Sequence, residues 1–156
     1  MKQKIKFAFH ILFHPFDGFW DMKHERKGDL YVSLGIMLMV IVSNIFSRQA
    51  TAFLFNPQKY ANLDVVFEIN KVLILFLLFC VSNWSITTLM GGEGTFKDIV
   101  MTTGYACLPL VIIPIPVAII SNLSSYYEQV YLTTANSVAT LWFFALLFAG
   151  IMTIHN

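Results

Sequence analysis

Three histidines near the amino terminus are the residues whose types and spacing come nearest to a metal site. His10 and His14 are four positions apart, so a helix would place them on one face, and His24 follows ten residues later. A zinc site needs further ligands at a characteristic spacing, and no cysteine or carboxylate completes the set here. Histidines clustered at the edge of an apolar segment are more often polar lining than ligands. We therefore predict no metal and no cofactor.

Other catalytic patterns are equally thin. The glycine-rich stretch Gly91 to Lys97 lacks the Gly-Lys-Ser/Thr ending with which a P-loop holds phosphate and magnesium. The chain has no Gly-x-Ser-x-Gly elbow, and Cys80 and Cys107 lie inside apolar stretches as small hydrophobes. A net charge of +1 argues against nucleic acid, whose phosphates need a concentrated basic surface. These features favour a protein that is not an enzyme.

The distribution of charge defines the elements that must carry these residues. Ten of the 19 charged residues lie in the first 29 positions, and four intervals without Asp, Glu, Lys or Arg follow, at 30–47, 72–92, 99–127 and 129–156. A helix needs roughly 20 apolar residues to cross a bilayer core, so all four intervals qualify. With 57% hydrophobic and 12% charged residues, the chain is predicted to be an all-α, polytopic transmembrane bundle with its membrane domain at 30–156.

Residues 1–29 are predicted to form an amphipathic segment at the membrane surface. At helical period, Ile5, Phe9, Leu12, Phe13 and Phe16 gather on one side, as in an interfacial helix or a short helix packed on the spans. Six Lys and Arg residues precede the first span and one lies between the second and third, against three between the first and second. The positive-inside bias therefore predicts a cytoplasmic amino terminus.

The connections and the third span carry local signals. Residues 56–64 are expected to form an external loop. Glu68 and Lys71 lie one helical turn apart at the start of the second span, so they are expected either to pair or, as the simpler interpretation, to mark a solvated helix end. Gly91 and Gly94 are expected to form a tight turn before a capping box at Thr95 and Asp98. The third span must bend or break, because three prolines interrupt its backbone donors: Pro109, Pro114 and Pro116.

Three strings occur in order along the chain. They are Phe-His-Pro-Phe-Asp-Gly-Phe at 13–19, Asn-Trp-Ser-Ile-Thr-Thr-Leu at 83–89 with the glycine-rich stretch 91–97, and Gly-Tyr-Ala-Cys-Leu-Pro at 104–109. Together they resemble the bacterial branch of the Yip domain family, named from Ypt/Rab-interacting proteins, over nearly the whole chain. The resemblance implies a bacterial cytoplasmic membrane and five spans. Either a fifth span is expected beyond Asn156, or the chain is a four-span relative.

Two functional hypotheses follow. The first is a non-enzymatic accessory or adaptor protein that contacts the lipid bilayer and binds another integral membrane protein. The resemblance implies that this partner is a permease subunit of an ATP-binding-cassette carbohydrate importer. The second is a small transporter or channel along the proline-broken third span, with Tyr105, Asn122 and Asn136 as its polar lining. The scarcity of intramembrane charge favours the first hypothesis.

Under the adaptor hypothesis, the residues of the three strings have structural roles. The approach of the amino-terminal segment is expected to depend on His14, Pro15, Phe16 and Phe19. Trp84 is expected to anchor the second helix near its cytoplasmic end, in the way that aromatic belts do. Gly104 and Pro109 are expected to shape the third helix, while Tyr105 hydrogen-bonds to a neighbouring helix.

Overall fold

The computed structural model describes residues 2–55, 64–92 and 94–155, and every regular element in these ranges is helical. The α-helices are α1 (Lys2–Phe13), α2 (Pro15–His24), α3 (Leu30–Ala50), α4 (Val65–Leu89), α5 (Phe96–Ala106), α6 (Pro109–Ile112), α7 (Pro114–Ile120) and α8 (Gln129–His155). A 3-10 turn, Tyr126–Glu128, precedes α8. The expected loop at 56–64 lies outside the described residues except for Asp64.

Four helical segments are long and apolar enough to cross a membrane, which confirms the predicted bundle. They are Leu30–Ala50, Val65–Leu89, Phe96–Ile120 and Tyr126–His155. We call the end of the bundle where α3 begins and α8 ends the N-terminal end, and the opposite end the distal end. The capping box predicted for the third segment is present, because the side chains of Thr95 and Asp98 each accept the other residue's backbone N–H.

The second span differs from its prediction at the distal end. It begins at Val65, seven residues before the uncharged interval 72–92, because the Asp64 side chain caps the helix by accepting the Phe67 N–H. Glu68 is therefore inside the helix and only 3% exposed, and it forms an ion pair with Arg48 near the end of α3. The expected solvated helix end was wrong for Glu68. Its carboxylate is buried because a cation on the neighbouring span compensates for the lost hydration.

Prolines divide the third span into α5, α6 and α7, which confirms the predicted break. Pro109 and Pro114 each occupy the start of a short helix, where a missing N–H costs least. Pro114 cannot donate to the Leu110 carbonyl four residues before it, and the Ser43 hydroxyl of α3 donates to that oxygen instead at 3.3 Å. A neighbouring span thus satisfies a backbone group that lipid could not.

The amino-terminal segment is a helical hairpin packed on the bundle. Four of the five residues predicted to share the apolar side are exposed, and the fifth, Leu12, is buried. A second apolar face, with Ala8 and Ile11, is buried against protein. Two apolar faces exist because one side of α1 meets the spans while the other is left for lipid. The buried residues of α1 and α2 join the same hydrophobic core as the spans.

Helix α5 is the centre of the bundle. Every residue from Ile99 to Ala106 is buried, and α5 packs against α3, α4 and α8. The most apolar window of the third span is 44% buried, whereas that of α4 is only 17% buried. Helix α4 is therefore a peripheral span, with most of its surface directed away from the other helices.

Candidate functional site: the N-terminal end of the bundle

The first string places a sharp turn between α1 and α2. Helix α1 ends at Phe13, and His14 has a non-helical backbone (φ −129°, ψ 72°) before Pro15 opens α2. Proline disfavours helical geometry in the residue before it and tolerates the first position of a helix, so this dipeptide makes the hairpin. Gly18 allows the return helix to approach closely, because an added Cβ would lie 2.7 Å from Ile11.

Phe19 fixes α2 on the bundle. Its ring is fully buried against α8, where a Cβ on Gly150 would lie 3.1 Å from two of its ring carbons. The same Cβ would overlap the Thr102 methyl group of α5. Phe16, by contrast, is 59% exposed. The two phenylalanines of the string therefore have different environments, one in the protein core and one at the surface.

The third string joins α5 to the start of α3. The Tyr105 side chain is fully buried, its hydroxyl accepts the Asp29 N–H at 3.2 Å, and the same hydroxyl lies 3.4 Å from the Asp29 carbonyl. Gly104 gives α3 room to approach, since a Cβ there would overlap the Ser33 hydroxyl and lie 2.8 Å from the Ser33 carbonyl oxygen. That hydroxyl donates to the Val100 carbonyl at 3.0 Å.

Asp29 connects this contact to α1. Its carboxylate pairs with Lys4 and also accepts the Tyr31 N–H at the start of α3. The Lys4 hydrogen bond and that backbone N–H hold the pKa of Asp29 below its usual value, and the same carboxylate raises the pKa of Lys4. Lys4, Asp29 and Tyr105 thus form one polar chain that links α1, α3 and α5.

The second string surrounds the end of α8. Gly91 has φ +76°, a conformation that suits glycine, and it follows Met90, the C-cap residue of α4. The His155 ring occupies the space beside the other described glycines of this turn: a Cβ on Gly92 or Gly94 would come within 3.0 Å of it. His155 Nε2 also lies 3.2 Å from the Asn83 amide oxygen. The turn and the last helix therefore lock together.

Trp84 lies near the end of α4, at the N-terminal end of the bundle. It is 42% exposed, and its ring meets that of Phe96 edge-on with centroids 5.9 Å apart. An exposed indole at this level fits an interfacial position. The contact also ties the end of α4 to the beginning of α5 across the glycine turn.

The prolines of the third span lie elsewhere. Pro109 is buried at the start of α6, whereas Pro114 and Pro116 lie in the distal part, towards the far end of α3. The polar residues of the transport hypothesis are also separated. Tyr105 contacts Asp29 before α3, while Asn122 donates to the Ala50 carbonyl at its end. At 1.5 Å per residue those two positions are about 30 Å apart.

The histidines do not assemble into a metal centre. The rings of His10 and His14 stack with centroids 5.2 Å apart, but His24 stacks on Trp20 instead, at 4.6 Å. Among the residues that the structure describes, no three His, Cys, Asp or Glu side chains are grouped to hold an ion. Cys80 and Cys107 are buried, free thiols. The contacts described at this end are apolar packing, hydrogen bonds and an ion pair between helices.

Several contact residues of this end were missed by sequence reasoning. They are Asp29, Ser33, Gly150 and His155. Asp29 had a usable signal, since an aspartate directly before an apolar helix is a favoured cap. Gly150 is an isolated glycine in an apolar span, which is a known sign of close helix approach. Nothing in the sequence marked Ser33 or His155, because their partners are 67 and 72 residues away.

Comparison with known proteins confirms the family resemblance. A family model described as the Yip1 domain matches residues 9–156. Searches of the curated proteins and of the solved structures returned no match. The matched region contains all four apolar spans, so the chain is a multi-pass integral membrane protein. Because this match covers nearly the whole chain, the protein belongs to the Yip1 domain family.

Proposed function

We propose that this protein is a non-enzymatic accessory subunit that binds another integral membrane protein through α4. The Yip1 family is not known as an enzyme family. The observation that carries the proposal is the peripheral position of α4, only 17% of whose apolar window is buried by the rest of the chain. A span held mainly by its contacts with α5 and α3 leaves a long helical face for a neighbour in the membrane.

The exposed face of α4 has a stripe of apolar side chains and an interfacial tryptophan at one end. Ile74, Leu78 and Val81 recur at spacings of four and three residues, so they follow one stripe of the helix, and all three are exposed. Trp84 continues the stripe at the N-terminal end. Association of spans in lipid depends on close packing rather than on hydrophobicity, so a partner would have to fit this stripe.

In this proposal the N-terminal end faces the cytoplasm. The support is the excess of Lys and Arg before the first span and between the second and third spans. A bacterial membrane, and a permease subunit of an ATP-binding-cassette carbohydrate importer as the partner, belong to the same proposal. Both rest on the resemblance of the three strings.

In-cell photocrosslinking tests the proposal. A photoreactive side chain replaces Leu78 on the open face of α4, and a second variant carries it at the equally exposed Phe148 on α8. We expect crosslinking from position 78 to capture one membrane protein in near-stoichiometric yield, identified by mass spectrometry, and position 148 to capture much less of it. Crosslinks to lipid alone from position 78, in cells that express the full membrane proteome, would overturn the proposal.

A transporter is the second candidate, favoured by one cavity. A small polar cavity of about 140 Å³ lies beside α7 at the distal end, with Ser121, Thr133 and Asn136 in its lining. Solute flux into liposomes that contain the purified protein tests this candidate. Flux that Asn136→Leu abolishes would favour it over the accessory role.

A further inference from the structure

An amphipathic groove runs along the outer side of the hairpin and α8. We call it the α2–α8 groove. Its apolar part, with a volume of about 430 Å³, is lined by residues that include Leu12, Phe13, Trp142 and Phe148. Phe16 belongs to the lining of both this part and a second, polar part. The two parts are therefore continuous along the surface.

The polar part lies at the N-terminal end of the bundle. It has a volume of about 440 Å³ and is lined by Asp17, Trp20 and His24 from α2, together with Thr153 near the end of α8. The Trp20 and His24 rings stack at 4.6 Å and form an aromatic shelf. Asp17 is exposed, and its carboxylate has no hydrogen bond or ion pair with another described residue. The groove thus ends in an acceptor beside a π-surface.

The apolar and polar parts of the groove follow one another in the same order as the acyl chain and headgroup of a membrane lipid. Trp142 and Thr153 are eleven positions apart on α8, or about 16 Å along the helix axis. That distance is about half of a hydrocarbon core some 30 Å thick, which is the depth of one leaflet. The apolar part lies toward the middle of α8 and the polar part toward its end, so an acyl chain and its headgroup would lie in register with both.

The headgroup chemistry follows from the lining of the polar part. A carboxylate and stacked aromatic rings attract an ammonium group, through charge and through the negative faces of the rings. The side chains of this part that the structure describes include no lysine or arginine to receive a purely anionic headgroup. Asp17 lies in the first turn of α2, where a carboxylate also stabilises the helix by complementing its dipole. That stabilising role does not depend on the groove.

We propose that the α2–α8 groove binds one phospholipid with an amine headgroup, such as phosphatidylethanolamine, from the leaflet at the N-terminal end. The ammonium lies at Asp17 and on the Trp20–His24 shelf, and one acyl chain lies against Phe16, Trp142 and Phe148. The site is separate from the proposed protein contact on α4, because no residue that lines either part of the groove belongs to α4.

Native mass spectrometry of the detergent-purified protein tests the site. The probes are phosphatidylethanolamine, phosphatidylglycerol and phosphatidylcholine with identical acyl chains, added in equal amounts. We expect one phosphatidylethanolamine to be retained in preference to the others, because its primary ammonium can donate hydrogen bonds to the Asp17 carboxylate, whereas phosphatidylcholine has no N–H and phosphatidylglycerol has no cation. Asp17→Asn should weaken its retention by about two- to fivefold, the effect of losing one exposed ion pair. Glu25→Gln, the same charge change at the other end of α2 and outside the groove, should leave retention unchanged.

A steric pair tests the acyl position. Ala145→Leu fills the apolar part at an exposed position, and Val138→Leu enlarges an exposed side chain on the same helix outside the groove. We expect only the first to displace the lipid. Equal retention by all variants, a preference for phosphatidylglycerol or phosphatidylcholine, or a second protein copy in place of lipid would overturn the proposal. Unchanged elution from a sizing column shows that each variant is folded.

Discussion

Adding one methyl group at Gly104 and one at Gly35 should change the stability of the bundle in opposite directions. Both glycines are inside helices of the spans, but a Cβ at Gly35 meets nothing within 4 Å. Gly35→Ala should therefore stabilise the protein by up to about 1 kcal/mol, the usual helix preference of alanine over glycine. The same preference acts at Gly104, where it is opposed by contact with α3.

The cost at Gly104 follows from the fixed position of the Ser33 carbonyl. The new Cβ would lie 2.8 Å from that oxygen, whereas ordinary contacts begin at 3.4 Å. A backbone oxygen cannot rotate away, so α3 and α5 must separate by about 0.6 Å, and overpacking of a core costs about 1–3 kcal/mol. The Ser33 to Val100 hydrogen bond, at 3.0 Å, would stretch beyond the normal range and lose about 1 kcal/mol more.

Thermal unfolding in one detergent measures both variants. A maleimide dye can report unfolding because Cys80 and Cys107 are free and buried. At about 2–4 °C per kcal/mol for a chain of this size, Gly104→Ala should lower Tm by about 2–12 °C, and Gly35→Ala should leave it equal or higher. Two results would refute the reasoning: equal Tm values for both variants, or full rescue of Gly104→Ala by Ser33→Ala, which removes the hydroxyl but leaves the carbonyl.

Three further predictions concern polar contacts between helices. Tyr105→Phe removes a hydroxyl that accepts the Asp29 N–H, and it should cost about 1–3 kcal/mol in the same unfolding assay because that donor is left without its partner. Glu68→Gln should destabilise the bundle by about 1–3 kcal/mol, since the buried carboxylate pairs with Arg48, and Glu68→Asp should cost less if charge is what matters. The Lys4–Asp29 pair should hold α1 on the bundle between acidic and strongly basic pH. Because the pKa of Asp29 is lowered in the folded protein, its contribution to stability is present above the ordinary pKa of 3.8 and is lost as pH falls through the folded pKa. Because the pKa of Lys4 is raised, its contribution to stability is lost only as pH rises above the ordinary pKa of 10.5. The protection factors of the α1 amides, which correct for the intrinsic pH dependence of exchange, should therefore decrease below pH 3.8, and Asp29→Asn should remove that step. Protection factors that are unchanged on acidification would contradict the pairing.

The sequence alone determined the four spans and the broken third helix. Long intervals without charge require helices in lipid, because every backbone donor and acceptor must be satisfied within the segment. The break depended only on the prolines and their missing donors, and the capping box only on Thr95 and Asp98 three residues apart. These features are local, so composition and spacing are enough to predict them.

The tertiary structure decided which partners distant residues meet. The pairing of Glu68 with Arg48, the contact of Phe19 with Gly150 and the contact of His155 with Asn83 each join elements far apart in the chain. A periodic pattern shows that a helix has an apolar side but not which surface covers it. In a membrane, both lipid and protein can cover an apolar side, so hydrophobicity does not distinguish the two.

The amino-terminal hairpin illustrates this division. The sequence determined that the segment is amphipathic and that Pro15 interrupts it. Only the structure separated the residues that face the spans, such as Ile11 and Phe19, from those left at the surface, such as Phe13 and Phe16. The physical reason is that Gly18 and Gly150, which have no Cβ, let α2 approach α1 and α8 closely. Where these contacts form depends on how the helices pack, which the local sequence does not specify.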